Sequence, residues 1–232
     1  MDAYHQTNRP FVLGVGFPKT GNFAIEHAFA NVLNYGSCYE KPLPEDQTCE
    51  QLVQTLSGHN CCFRPKARRL YKHIWQQFPQ VKFLLTVEDS SSVWADKFID
   101  GYSVVKRKGL IIFLKNFRKK RILNSNCSPE ILKCWVEEKR EFDRDMLIDA
   151  YEKWISKITI EIPRTHLLIY NVKSGWAPLC AFVDVSQPKC GFYKFITKNG
   201  QRLSKFKRGA VVVVVTMIPV LVISFVVTLL VF

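Results

Sequence analysis

A short loop near the amino end carries the residue types that bind an oxyanion. Residues 12–22 read VLGVGFPKTGN, an apolar strand followed by a turn that holds Gly16, Pro18, Lys19 and Gly21. Where such a turn opens a helix, the backbone N–H groups of the first helical turn point into it and the helix dipole favours an anion. The lysine adds a full positive charge. The spacing therefore predicts a phosphate- or sulfate-binding loop.

Two well-known phosphate loops fit this stretch poorly. Gly16 and Gly21 have the four-residue gap of a Walker loop, but that pattern needs Lys and then Ser or Thr after the second glycine. Asn22 and Phe23 stand there instead. The dinucleotide fingerprint needs a third glycine, and Pro18 interrupts its turn. A magnesium-dependent NTPase and a NAD enzyme are therefore disfavoured, and a plain strand-to-helix turn with a surface lysine stays open as the alternative.

The elements around the loop alternate between apolar strands and amphipathic helices. We predict strands at 11–17, 81–89 and 165–172, and helices at 22–36, 66–80, 90–103 and 175–185, with two more helices inside 129–163. Such alternation is typical of an α/β domain in which helices cover both faces of a parallel sheet. The fold class predicted is a three-layer, P-loop-like α/β domain with a central parallel sheet.

Four stretches, taken in order, resemble the sulfotransferases that use 3′-phosphoadenosine 5′-phosphosulfate, in the variety common in fungi and invertebrates and often mislabelled NAD-dependent epimerase. Residues 12–21 resemble the 5′-phosphosulfate loop, and residues 78–94 resemble the strand and turn that normally end Thr-Val-Arg-Asp-Pro. Residues 141–154 and 162–185 are similar to the late helix and the closing strand and helix. The resemblance implies transfer of a sulfonate group to a hydroxyl or amine, without a metal.

The resemblance also implies which residues hold the donor. Lys19 would be the catalytic residue, neutralising charge on the bridging oxygen as the phosphate leaves. Backbone N–H groups at Gly21, Asn22 and Phe23 would bind the 5′-phosphate. The donor-binding loop so implied comprises Pro18, Lys19, Thr20, Gly21, Asn22 and Phe23.

The chain departs from the family pattern where the 3′-phosphate should bind. Glu88 corresponds to the arginine after Thr-Val, and Asp96 corresponds to its serine partner eight residues on. Two donors have become two carboxylates, and a like charge at ~4 Å costs about 4 kcal/mol at moderate dielectric. We expect impaired donor binding, and two hypotheses stay open: a weakened sulfotransferase, or a catalytically inactive phosphate-, nucleotide- or membrane-binding protein.

The catalytic base implied by the family is not found at its usual places. Phe63 and Arg64 occupy the neighbourhood of the family's acidic residue, and Trp154 stands where the late helix carries histidine. His59 and Glu40 remain as candidate bases.

The carboxyl end predicts a membrane anchor. Residues 209–232 contain no charged side chain and would span ~36 Å as a helix, longer than the ~30 Å hydrocarbon layer. The preceding segment, 196–208, carries five Lys and Arg residues, which places the rest of the chain in the cytosol. We predict a tail anchor in secretory membranes, the endoplasmic reticulum before the mitochondrial outer membrane, with a glycolipid-anchor signal as the competitor. The domains predicted are a tail at 1–9, the sulfotransferase-like domain at 10–195, the basic linker at 196–208 and the anchor at 209–232.

The net charge of +13 points to negatively charged partners. Basic stretches at 64–73 and 106–121 suit an anionic membrane surface, and no nucleic-acid-binding module is present. A small molecule, a glycan and a lipid all stay open as the acceptor. The eight cysteines form no Cys-X-X-Cys pair, so no metal site is predicted, and the amino end lacks a signal-peptide pattern, so we expect reduced thiols.

Overall fold

The computed structural model describes residues 9–38, 48–107, 131, 133–136 and 141–192. The chain divides into a unit of residues 1–188 and a second unit of residues 189–232. The predicted anchor, the basic linker and Glu40 lie outside the described residues. Among the helices that the structure describes, none is both long and apolar enough to cross a membrane.

The strands are β1 Val12–Gly14, β2 Cys61–Cys62, β3 Lys82–Val87, β4 Trp135–Val136, β5 Glu141–Phe142 and β6 Leu167–Asn171. The helices are α1 Asn22–Asn31, α2 Cys49–Leu56, α3 Pro65–Arg69, α4 Tyr71–Gln77, α5 Ser91–Arg107, α6 Arg144–Glu161 and α7 Trp176–Phe182.

The main sheet has four parallel strands in the order β2-β1-β3-β6. From β1 the chain crosses to β2 on one side and then returns to β3 on the other, with Val12 beside Cys61 and also beside Lys82. In open α/β sheets ligands bind beyond the carboxyl ends of the strands, where the strand order reverses. The loop after β1 lies at that point of this sheet.

Helices bury both faces of the sheet. Leu13 and Phe83 belong to one apolar cluster with Tyr71 of α4 and other helical residues. On the opposite face a β-carbon at Gly14 would meet the ring of Phe63, which in turn contacts Phe29 of α1. Because successive side chains of a strand point to opposite faces, this alternation requires cover on both. The predicted α/β class with a central parallel sheet is confirmed.

Four local features differ from the predicted elements. Strand β2 and helix α2 were not predicted, and β2 has only two residues, too few to carry a periodic pattern. The predicted helix 66–80 is divided at Leu70, where φ is −100° and ψ is 19°. An antiparallel pair, β4 with β5, precedes α6 within 129–163, and it buries Phe142 against Phe98 at 5.0 Å between ring centroids.

Replacing Gly14 by Ala should lower the free energy of unfolding by about 1–3 kcal/mol, since overpacking forces neighbours aside. The added β-carbon would lie 2.1 Å from the Phe63 ring. Chemical denaturation of the purified protein measures the effect. Gly58→Ala is the matched control, because its β-carbon meets open space and should change stability by less than about 0.5 kcal/mol. Equal effects of the two substitutions would contradict the packing described.

Candidate oxyanion site

The turn after β1 contains two residues with left-handed backbone conformation. Lys19 has a φ of 71° and Gly21 has a φ of 97°. Glycine adopts this region freely, whereas a residue with a β-carbon loses roughly 1–2 kcal/mol there. Non-glycine residues in such conformations concentrate at functional sites, where the surrounding structure holds them. The backbone conformation at Lys19 must therefore be held by the residues that surround the turn.

Helix α1 begins at this turn without a side-chain cap. Gly21 is the N-cap residue, and no side chain caps the helix. The helix's own hydrogen bonding starts with the Ile25 N–H, which donates to the Gly21 carbonyl at 3.1 Å. The N–H groups of residues 22–24 therefore precede the first intrahelical bond and suit an anion. Lys19 and Phe23, at the rim of the turn, are exposed.

The carbonyl groups of the turn point into the protein. The indole of Trp154 donates to the Val15 carbonyl at 2.8 Å, and the indole of Trp94 donates to the Pro18 carbonyl at 2.7 Å. Arg68 donates to the Gly16 carbonyl at 2.9 Å. These negative ends are thereby held away from the outer side of the turn. Donors inside the protein thus occupy the carbonyl oxygens of Val15, Gly16 and Pro18.

A polar network of three side chains closes the turn from below. Thr86 at the end of β3 donates to Oδ1 of Asn22 at 2.7 Å, and the Thr86 and Thr20 hydroxyl oxygens lie 2.6 Å apart. Thr20 also lies 2.6 Å from the Phe17 carbonyl. The Thr20 hydroxyl has one hydrogen and can donate either to Thr86 or to the Phe17 carbonyl. In both cases Nδ2 of Asn22 donates to that carbonyl at 2.8 Å. The side chains of Thr20 and Asn22 thus face inward, and these two residues offer a ligand only their backbone groups.

An aromatic cluster forms the floor of the turn. The ring of Phe17 lies 5.5 Å from both Trp94 and Trp154 and 5.9 Å from Tyr151, between centroids. The Arg68 guanidinium lies 5.3 Å from the centre of the same ring. Packed aromatic pairs are stiff and contribute beyond their buried area. The cluster anchors the turn to α5 and α6, which lie far from it in sequence.

The side chain of Lys19 lies along α5. A β-carbon at Gly101 would come within 2.7 Å of the Lys19 ammonium. Trp94 and Gly101 are seven residues apart and share a helix face, and Lys97 lies between them on that face. In the part of the chain that the structure describes, no carboxylate forms an ion pair with Lys19. Its charge is available to a bound anion.

The two carboxylates predicted at the 3′-phosphate position are both neutralised by cations. Glu88, directly after β3, accepts from the Lys97 ammonium at 2.6 Å, and its own N–H donates to the Tyr151 hydroxyl at 2.9 Å. Asp96 in α5 accepts two bonds from Arg144, at 2.7 and 3.2 Å. These bonds from Arg144 hold the pKa of Asp96 below its usual range. The region is close to neutral in charge instead of positive.

The candidate bases lie away from the turn or have other roles. His59 precedes β2, at the edge where the strands begin, and its Nδ1 lies 2.8 Å from the Thr55 carbonyl. Trp154 is committed to the floor of the turn. Phe63 packs over Gly14. Among the described residues, none of the predicted positions therefore places a base beside Lys19.

Several residues that shape the site were not predicted from the sequence. They are Thr86, Arg68, Trp94, Lys97, Gly101 and Arg144. A lone hydroxyl residue at the end of an apolar strand was the one available signal, at Thr86. The others act across 48 to 76 residues of chain or through the packing of α5, and no local pattern marks them.

A family model described as the sulfotransferase domain matches residues 11–195. No curated protein matches the chain significantly. The family match covers most of the chain, and the chain belongs to the sulfotransferase domain family, as the resemblance of its motifs predicted. This family catalyses sulfonate transfer and generally uses 3′-phosphoadenosine 5′-phosphosulfate.

Replacing Thr86 by Val should lower the free energy of unfolding by about 1–3 kcal/mol, because buried partners in Thr20 and Asn22 lose a hydrogen bond. The measurement is denaturant unfolding followed by tryptophan fluorescence. Thr159→Val removes an exposed hydroxyl that bonds only the preceding helical turn, and it serves as the control. If both variants unfolded alike, the buried network would not support the turn.

Proposed function

We propose that this protein transfers a sulfonate group from 3′-phosphoadenosine 5′-phosphosulfate, with a donor affinity reduced by its altered 3′-phosphate position. The observation that carries this proposal is the turn after β1, whose carbonyl groups face inward while the start of α1 carries no cap. Lys19 has a left-handed backbone conformation within this turn. Such a residue is more typical of a functional site than of a plain strand-to-helix connection.

The residues of the turn would act by electrostatics. The donor supplies an electrophilic sulfonate on a phosphate leaving group. N–H groups of residues 22–24 would hold the 5′-phosphate, and the Lys19 ammonium would stabilise the charge that develops on the leaving oxygen. Preorganised donors of this kind commonly contribute ~3 kcal/mol each to catalysis. Pro18 and Gly21 contribute the shape of the turn, and Thr20 ties it to β3.

The 3′-phosphate would gain little binding free energy from the region of Glu88 and Asp96. Each carboxylate already has a cation, so the local charge is near zero where the family supplies a cationic ligand. A phosphate could bind Lys97 or Arg144 only by competing with these ion pairs. We therefore infer that the 3′-phosphate adds much less affinity here than a clamp of Arg and Ser would give.

Neither His59 nor Trp154, the two described positions at which a base was considered, lies beside Lys19 as a base, and this favours one alternative. His59 lies at the opposite edge of the sheet and Trp154 is a buried hydrogen-bond donor. A protein that binds a phosphate or a nucleotide without turning it over, or that acts as a membrane scaffold, is the second candidate. Transfer of radiolabelled sulfonate to a panel of hydroxyl and amine acceptors separates the two candidates.

Lys19→Ala should weaken binding of 3′-phosphoadenosine 5′-phosphate by tenfold or more, the equivalent of about 1.4 kcal/mol. Calorimetry on the full chain in mild detergent measures it. Lys153→Ala removes the same charge from an exposed position on α6 and should leave the affinity unchanged. Undetectable binding by the unmodified protein at millimolar nucleotide would contradict the proposed donor.

The double substitution Glu88→Arg with Asp96→Ser should tighten binding of 3′-phosphoadenosine 5′-phosphate by tenfold or more. Adenosine 5′-phosphate, which lacks the 3′ group, should bind both proteins equally, so it controls for changes elsewhere. A native protein that already prefers the 3′-phosphorylated nucleotide by a large factor would show that other cations, such as those of 106–121, hold this group.

We further propose that residues 209–232 anchor the protein in a secretory membrane with residues 10–195 in the cytosol. The support is the uncharged sequence and the basic segment before it. A glycosylation tag added after Phe232 should become modified in the endoplasmic reticulum. The natural acceptor sequence Asn126-Cys127-Ser128 should remain unmodified in the same molecule. A modified Asn126 together with an unmodified tag would contradict the proposal and indicate the opposite topology.

A further inference from the structure

Two buried thiols outside the oxyanion site lie against each other. The sulfur atoms of Cys38 and Cys62 are 2.7 Å apart, and both residues are fully buried. Neither is used by the site described above. Both are free thiols in this structure.

The backbone explains why these two sulfurs meet. Ser37 and Cys61 form a parallel bridge, and the N–H groups of Asn60 and Cys61 both donate to the Gly36 carbonyl. Ser37 therefore lies beside Cys61 at a single isolated bridge. Cys38 and Cys62 each follow a bridged residue, and their sulfur atoms meet. Bridged backbones lie ≈ 4.7–4.9 Å apart, and a disulfide needs a Cα separation of ≈ 4.4–6.8 Å.

From this placement we propose that Cys38 and Cys62 are a site of reversible oxidation to an intramolecular disulfide. The inference is independent of the proposed sulfonate transfer. Cys38 and Cys62 belong to the same buried apolar cluster, whereas Cys61, adjacent in sequence, does not. The fold thus selects one of two consecutive cysteines.

The oxidant is a peroxide. One thiol loses its proton, and the thiolate sulfur attacks a peroxide oxygen. The O–O bond breaks, a sulfenic acid forms, and the hydroxide that leaves takes up the released proton to give water. The second sulfur then attacks the sulfenic sulfur and a second water leaves, so that one peroxide accepts two electrons from two thiols. Burial raises the pKa of the Cys62 thiol, so little of it is present as the reactive thiolate. We therefore expect the oxidation to require hours in peroxide instead of seconds.

The cross-link would fix the segment that precedes Cys38. Cys38 and Cys62 are 24 residues apart, and α2 lies between them. Oε1 of Glu26 in α1 accepts from Ser37 at 2.9 Å and from the Phe63 N–H at 3.4 Å, next to both cysteines. The disulfide would therefore join two segments that α1 already holds together.

Peptide mapping of the full chain tests the inference. The protein is treated natively with hydrogen peroxide, alkylated in denaturant and cut after glutamate. This cleavage puts Cys38 in the peptide 27–40, Cys49 in 46–50 and both Cys61 and Cys62 in 51–88. We expect 27–40 linked to 51–88 and released by dithiothreitol. Free thiols at both sites after overnight treatment, or a link that forms only in unfolded protein, would overturn the inference.

Substitutions by Ala decide which sulfur reacts, and Ala is chosen because buried Cys behaves as a small apolar residue. Cys61→Ala should retain the link and Cys62→Ala should abolish it. A link that survives Cys62→Ala overturns the assignment. In the unmodified protein, oxidation should raise Tm by about 5 °C or more, because it closes a loop in the unfolded chain. An unchanged or lower Tm would show that native packing does not match the cross-link and would also overturn the proposal.

Discussion

The carbonyl groups of residues 15–18 accept hydrogen bonds from inside the protein, and the candidate oxyanion site depends on this constraint. Their partners come from α3, α5, α6 and from Asn22 at the start of α1. With the carbonyls held inward, the outer side of the turn presents N–H groups and the Lys19 ammonium. The local strain at Lys19 is possible because so many distant groups hold the backbone.

The charge of the protein is distributed unevenly with respect to this site. The chain carries +13 overall, yet the two carboxylates beside β3 and α5 are each balanced by one cation. The ion pair of Asp96 with Arg144 is exposed, and such pairs contribute little to stability. The two ion pairs matter for ligand binding, because a 3′-phosphate would meet a nearly neutral surface. In the proposed function, the backbone and Lys19 would provide one part of the family's chemistry, while the part that depends on two specific side chains would be changed.

The sequence predicted the elements that carry local patterns. Apolar periodicity predicted a strand at 11–17 and a helix at 22–36, and the structure has the shorter elements β1, Val12–Gly14, and α1, Asn22–Asn31, on either side of the glycine turn. It did not predict β2, which is defined by pairing with β1 and not by its own two residues. Nor did it predict that Trp154 donates to Val15, since that bond joins residues 139 apart. The hydrogen bonds that hold the turn come from residues brought close by tertiary packing. For this reason the inward direction of its carbonyl groups could not be predicted from the loop sequence alone.

The most direct test is a crystal structure of the full chain with 3′-phosphoadenosine 5′-phosphate. We expect 5′-phosphate oxygens about 3 Å from the N–H nitrogens of residues 22–24 and from the Lys19 ammonium. We also expect the carbonyls of residues 15–18 to keep their inward partners. A nucleotide bound elsewhere, or a turn that rotates a carbonyl toward the phosphate, would contradict the proposed binding mode.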